Sequence, residues 1–175
     1  MMFRNAISSL LVILAAQAAA PYVMAIDACQ PVYTALTKII TTPSHSYSTQ
    51  TAPLVNGQQR TVETIYVQGK TYMLARGKWM VSPATPNDVL QQELENEKQG
   101  TSTCQFVRNE SVNGEAAAVY SMRRETDIAK ENGLIWISKT SGLALREEVD
   151  MDYGGSLGKM HLIARYEYSN VKPPM

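Results

Sequence analysis

Pairs of turn-forming residues at short intervals are the sequence feature that most restricts the fold of this chain. Asn56-Gly57, Gln68-Gly69, Arg76-Gly77 and Asn113-Gly114 each separate runs that are rich in Thr, Tyr, Val and Ile. Two-residue turns of this kind join neighbouring antiparallel strands, because glycine and asparagine accept the left-handed backbone that the turns need. The chain is therefore predicted to be mainly β (α+β), an antiparallel meander of about nine strands with two helices.

The same turns predict which side chains share a face of the sheet, since residues at equal distances from a two-residue turn point to the same side. The first hairpins bring together Ile65, Val67, Tyr72, Leu74, Trp79 and Val81, and the turn at 139–142 brings together Trp136 and Leu145. We predict that both groups face the concavity of a curved sheet. The candidate ligand-binding residues are Ile65, Tyr72, Leu74, Trp79, Val81, Trp136 and Leu145. The alternative is that these side chains fill a core.

Two helices are predicted to interrupt the strands. The first follows Pro31 and ends before Pro43, with apolar residues at helical spacing on one face. The second is predicted from Pro86 to Gln99, with Thr85 as its N-cap. Because this second helix has only a narrow apolar stripe, we expect it to lie loosely on the surface or to act as a flap.

Residues 1–25 have the order of a secretory signal peptide. Arg4 is followed by an uncharged apolar run at 6–16 and then by small residues up to Ala25. We predict a cleaved signal peptide at 1–25, a periplasmic location and a single domain at 26–175. An uncleaved membrane anchor is the alternative, but Gln17 and Pro21 interrupt the apolar run before it reaches the length of a span of about 20 residues.

The two cysteines are predicted to form a disulfide, Cys29 with Cys104, because an oxidising compartment pairs an even number of thiols. The alternative is lipidation of Cys29, since the sequence Ile-Asp-Ala-Cys faintly resembles a lipobox. Counting back from the turn at Asn113-Gly114 places Cys104 and Phe106 on the same face as Ala117 and Val119, and the first helix would dock on that face.

No motif for catalysis or for metal binding stands out, and we expect a protein that is not an enzyme and needs no cofactor or metal. His45 and His161 are interpreted as surface histidines, and the turn at 150–155 lacks the ligand pattern of a calcium loop. The charges at Arg123 and Arg124, and those at Glu147, Glu148, Asp150 and Asp152, are interpreted as solvated or as a polar rim for a partner. Sixteen basic residues balance sixteen acidic residues, which argues against a nucleic-acid partner.

Two C-terminal segments resemble the periplasmic lipoprotein-carrier superfamily (LolA-like proteins). They are 134–149 (LIWISKTSGLALREEV) and 164–171 (ARYEYSNV). The hairpins around 66–72 and 76–79 are similar to those of exported relatives of unknown function. Ala144 stands where the family's hairpin has a proline.

The resemblance implies an open, curved antiparallel half-barrel whose concave face is covered by helices and binds acyl chains. It also implies an arginine that holds the helical lid, and the sequence provides no secure match for it among Arg60, Arg76 and Arg108.

Two functional hypotheses follow. The first is a non-enzymatic periplasmic carrier for a hydrophobic, lipid-like ligand or an acylated protein. The second is an envelope interaction module with a filled core, and a hydrolase is a distant third. A stable membrane span after cleavage is not expected, and the oligomeric state is left open. The two leading hypotheses differ in whether the space between the helices and the sheet is empty or filled.

Overall fold

The computed structural model describes residues 28–51, 59–155 and 158–174. The signal peptide at 1–25 and the turn at Asn56-Gly57 lie outside these ranges, so both stay predictions, as does the domain boundary at residue 26. Within the described ranges, no helix combines the length and the apolar character needed to cross a bilayer.

The described chain contains two helices and nine strands. Helix α1 spans Gln30–Thr41 and helix α2 spans Pro86–Gln99. The strands are β1 (Ser44–Thr51), β2 (Gln59–Val67), β3 (Lys70–Ala75), β4 (Lys78–Val81), β5 (Thr101–Val112), β6 (Glu115–Glu125), β7 (Lys130–Ser138), β8 (Ala144–Asp152) and β9 (Lys159–Glu167). The bounds of α2 are those predicted from its proline and its stop signal.

All nine strands belong to one sheet in the order β4-β3-β2-β1-β9-β8-β7-β6-β5. Every neighbouring pair is antiparallel. Strands β4 and β5 form the two edges, so the sheet is open. This confirms the predicted mainly β architecture and is consistent with a curved half-barrel.

Three tight turns occur where the sequence predicts them. Gln68 and Gly69 have φ values of 53° and 72°, and the turns at Arg76-Gly77 and Asn113-Gly114 repeat this pattern. Positive φ at both central residues is typical of the type I′ turn, whose twist matches that of the flanking strands. The register around the first two turns is therefore as predicted, with Ile65 opposite Tyr72.

The hairpin of β5 and β6 departs from the predicted register. Close to its turn the pairing is as expected, but an extra residue, Val107, interrupts the ladder. A bulge sets two residues against one, so every side chain beyond it changes face. Cys104 and Phe106 therefore point to the other side of the sheet from Ala117 and Val119, and the prediction that these four residues share a face is wrong.

A disulfide links the start of α1 to edge strand β5. Cys29 is bonded to Cys104, and the two Cα atoms are 4.9 Å apart. This confirms the predicted pairing. Because the sulfur of Cys29 is used in this bond, the structure contradicts the alternative in which that sulfur carries a lipid.

The two faces of the sheet differ in what covers them. Val32 and Ala35 of α1 are buried against Ile135 and Ile137, and we call this side the helix face. We call the other side the opposite face. It carries two separate buried clusters: Ala117, Val119, Trp136 and Leu145 in the first, and Ile65, Val67 and Tyr72 in the second.

Candidate ligand-binding site

The residues predicted to bind a ligand all lie on the opposite face, whereas the helices lie on the other side. The register shows this, because register partners on neighbouring strands share a face. Arg146 of β8 is the partner of Trp136 on β7 and of Arg165 on β9. Arg165 is in turn the partner of Tyr47 on β1. Ile65 belongs to that same face. These side chains therefore do not lie beneath the helices, and that they face a ligand-binding concavity stays a prediction.

Within the opposite face, the two predicted groups remain apart. Ile65 and Tyr72 are buried, with Trp79 and Val171 packed against them. Trp136 and Leu145 are buried in the other cluster, and Val81 is exposed. The grouping within each hairpin is confirmed, whereas ligand binding by Ile65, Tyr72, Leu74, Trp79, Val81, Trp136 and Leu145 stays a prediction.

A cavity of about 240 Å³ lies between the helices and the helix face. Its apolar lining comes from both helices and from the sheet: Leu36, Ile39, Ile40, Val89, Met122, Val149, Met151 and Leu162. Its polar lining consists of Glu93, Arg124, Glu131, Glu147 and Tyr166. An engineered apolar cavity of about 150 Å³ is large enough to hold benzene. The space between helices and sheet is thus not filled by side chains.

Arg124 organises the polar wall of this cavity. Its Nε and Nη2 atoms donate hydrogen bonds of 2.8 and 3.1 Å to the two carboxylate oxygens of Glu131, and Nη1 donates one of 3.0 Å to Glu93 on α2. The Arg124 and Glu131 side chains are only 13% and 14% exposed. Burial alone lowers the pKa of the Arg124 guanidinium, but the two carboxylates more than offset this and raise it. Arg124 therefore stays charged and ties α2 to the sheet.

Glu147 and Tyr166 form a second polar group in the same wall. The Tyr166 hydroxyl donates a 2.9 Å hydrogen bond to Glu147 Oε2. Burial raises the pKa of Glu147, although the bond from Tyr166 acts in the other direction. Burial also raises the pKa of Tyr166 well above its ordinary value. The wall thus combines a fixed ion pair with a carboxyl group whose pKa is raised by burial.

Helix α2 begins with a side-chain cap and is joined to the sheet through Glu93. Thr85 caps it, since the Asp88 backbone N–H donates a 3.2 Å bond to Thr85 Oγ1 and the Thr85 N–H donates a 2.8 Å bond to Asp88 Oδ2. Val89 and Leu94 remain 40% and 38% exposed. Val89 and Leu94 therefore bury little apolar surface, and that α2 is loosely held or acts as a flap stays a prediction.

The interpretation of the two charge clusters as solvated surface or polar rim is wrong for Arg124 and Glu147, because both side chains line the cavity. Glu147 and Glu148 do point to opposite faces, as predicted, because Glu147 pairs with Ala164 and Glu148 pairs with Ile163. Glu147 lies on the helix face, beneath the helices. The position of Arg124 could have been predicted from strand alternation. Arg124 is two residues from the buried Met122, and residues two apart in a strand point to the same face.

Replacing Glu147 by glutamine is expected to stabilise the protein at neutral pH. The raised pKa means that folding favours the protonated carboxyl, so the wild type loses stability as pH rises from the unfolded-state pKa of about 4.3 through the higher folded-state value. Glutamine accepts the Tyr166 bond and has no proton to lose. Urea unfolding at several pH values should show the advantage of Glu147→Gln growing across that window and then becoming constant. Glu148→Gln on the opposite face is the control, and parallel profiles for wild type and Glu147→Gln would contradict the prediction.

The two histidines lie away from the cavity, on the opposite face. His45 Nε2 is 2.6 Å from Glu63 Oε1, and His161 Nδ1 is 2.8 Å from Asp150 Oδ1. Among the described residues, no group of three or more His, Cys, Asp or Glu side chains is arranged to hold a metal ion.

No protein-family model and no curated protein matches this chain. Three solved structures are similar to it over most of its length. The lipoprotein LppX of Mycobacterium tuberculosis is 10% identical with a TM-score of 0.47, covering 81% of this chain and 95% of its own. LprF of Mycobacterium bovis is 9% identical with a TM-score of 0.42, covering 84% and 96%. A DUF1329 family protein of Desulfovibrio piger is 10% identical with a TM-score of 0.29, covering 85% and 96%.

Proposed function

We propose that this protein is a non-enzymatic binding or carrier protein for a hydrophobic, lipid-like ligand or for the acyl chain of a lipoprotein. The observation that carries the proposal is the cavity of about 240 Å³ beneath α1 and α2. Apolar groups that enter such a space gain about 25 cal/mol for each Å² removed from water. The disulfide supports work in an oxidising compartment, for which we propose the periplasm.

The charges of the polar wall favour a ligand whose polar end is uncharged. Arg124 already binds both oxygens of Glu131 and one of Glu93, so it has little capacity left for a ligand anion. The two carboxylates outnumber the one guanidinium, which makes an anionic head group unfavourable there. The Glu147 carboxyl and the Tyr166 hydroxyl are suited to hydrogen-bond an ester, amide or hydroxyl group.

Longer ligands require α2 to move outward. The cavity is smaller than the roughly 300–1,000 Å³ that is common for sites of drug-sized ligands. Val89 of α2 lines the cavity and is partly exposed, and the bond from Arg124 to Glu93 joins this helix to the sheet. Because α2 buries little apolar surface, its displacement costs less than that of α1, which is buried and covalently linked.

Filling the cavity should reduce ligand binding. We expect Val89→Trp to lower the affinity for the neutral fluorophore N-phenyl-1-naphthylamine about tenfold, which corresponds to about 1.4 kcal/mol or about 55 Å² of lost apolar contact. Leu94→Trp is the matched control, because Leu94 lies on the same helix but does not line the cavity. Monolauroylglycerol should displace the probe from the wild type better than laurate at pH 8.

Leu74→Glu distinguishes the competing proposals. If Leu74→Glu reduces probe binding in a folded protein and Val89→Trp does not, the ligand binds at the sequence-predicted residues of the opposite face. If no variant changes the signal, and native mass spectrometry of the exported protein finds no lipid, the carrier proposal is wrong and an envelope interaction module is favoured.

A further inference from the structure

Two arginines lie directly opposite each other on the face that the proposed cavity does not use. Arg146 on β8 and Arg165 on β9 are register partners. Side chains at such positions have Cβ atoms only about 4.5–5.5 Å apart, and like charges placed there destabilise the strand pair. An anion between the two groups would offset this repulsion.

Each guanidinium is held on its outer side by an aromatic ring. The Arg146 guanidinium carbon is 4.6 Å from the ring centroid of Trp136 on β7, and that of Arg165 is 4.5 Å from the ring centroid of Tyr47 on β1. Strands β7 and β1 flank the β8–β9 pair. Cation–π contacts therefore draw the two guanidinium groups toward opposite sides of the β8–β9 pair.

Both arginines line a groove of about 470 Å³. Besides the two arginines and Tyr47, the groove is lined by neutral hydrogen-bonding side chains and by an apolar floor. These residues are Thr49, Thr61, Asn113, Val112, Ile163 and Ala164. Hydroxyl and amide donors thus surround the two guanidinium groups.

The donors of this groove are incompletely used. Arg146 Nη2 donates a 2.9 Å bond to Glu148, but Arg146 Nε is buried without a hydrogen-bond partner among the described residues. No ion pair within the described ranges includes Arg165. The carboxylate of Glu63, on the same face, is already bonded to His45. Among the described residues, Arg165 thus has no ion-pair partner, and Arg146 beside it has an unused donor.

We propose that this groove binds one phosphate group, either on a lipid head group or as free phosphate. A guanidinium matches two phosphate oxygens at once, and a phosphate has further oxygens for Arg146 Nε and the threonine hydroxyls. A carboxylate has only two oxygens and would leave some of these donors unused. The site is on the opposite face, so it is independent of the cavity and of the proposed carrier function.

Fluorescence of Trp136 provides a direct readout, because the Arg146 guanidinium stacks on its ring. In Trp79→Phe, Trp136 is the only tryptophan of the chain. We expect inorganic phosphate and the soluble lipid dihexanoyl phosphatidic acid to change its emission saturably. Adding Arg165→Gln should weaken this binding about tenfold or more, as expected for the loss of charge-assisted hydrogen bonds. Arg123→Gln is the control, since Arg123 is on the same face but bonds to Asn132 outside the groove.

The relative affinities of the two probes identify the source of the phosphate. Tighter binding of the lipid indicates a head group, and equal binding indicates free phosphate. Arg165→Gln should also unfold at the wild-type temperature or higher in phosphate-free buffer, because it removes a repulsion. Unchanged binding in Arg165→Gln, equal losses in Arg165→Gln and Arg123→Gln, or no saturable response to either probe overturns the proposal. Val89→Trp should leave phosphate binding intact, so the failure of one proposal is distinguishable from the failure of the other.

Discussion

Arg124→Gln is expected to lower the free energy of unfolding by about 3–5 kcal/mol, the usual cost of removing one partner from a buried ion pair. The change leaves Glu131, whose side chain is 14% exposed, without its two guanidinium bonds, and it also frees Glu93 on α2. Urea unfolding followed by far-UV circular dichroism measures the loss.

The neighbouring Arg123 offers a matched control for this experiment. Arg123→Gln removes the same charge from the same strand, but Arg123 is exposed, so its effect should stay within about 0.5 kcal/mol. Arg124→Gln combined with Glu131→Gln should recover part of the loss, because the uncompensated carboxylate is then gone. Similar losses for Arg123→Gln and Arg124→Gln would show that the ion pair at the cavity wall contributes little.

Removing the disulfide is the second large effect. Cys29 and Cys104 are 75 positions apart, and closing a loop of that length stabilises the folded state by about 4 kcal/mol in the chain-entropy model. We expect the Cys29→Ser, Cys104→Ser double variant to lose about this much in urea unfolding. Thiol titration of the exported, denatured and unreduced wild type should find no free thiol.

Reduced wild-type protein is the control for the serine substitutions. It should unfold at the same urea concentration as the double variant, because both lack the same covalent link. Two free thiols in the unreduced protein, or a double variant as stable as the oxidised wild type, would contradict the structural role given to this bond.

The elements of this fold were predictable because their signals are local. A pair such as Gln68-Gly69 determines both the position and the register of its hairpin, since the turn type leaves one way to pair the strands. Helix α2 was likewise predictable from Thr85 and Pro86. These features depend on residues that are neighbours in the chain.

The candidate site was not predictable in the same way, because it depends on contacts between distant segments. Arg124 meets Glu131 across a hairpin that lacks a two-residue turn signal, and it meets Glu93 only because α2 folds back over the sheet. The sequence-predicted group around Trp79 was assembled correctly, yet its face could not be assigned. The face that the helices cover depends on where α1 docks. Around Trp136 both faces of the sheet bury apolar side chains, so the alternation of apolar residues does not indicate which face that is.

The bulge at Val107 makes the covalent link between α1 and the sheet possible. Because Cys104 lies beyond it, the extra residue turns that sulfur toward the side on which α1 lies. Deleting Val107 alone would restore a regular ladder and leave the two cysteines on opposite sides of a sheet. If the disulfide is to be kept, insertions or deletions between Cys104 and the turn at Asn113-Gly114 must therefore comprise an even number of residues. Whether this segment has an odd or an even number of residues decides whether Cys104 can reach Cys29.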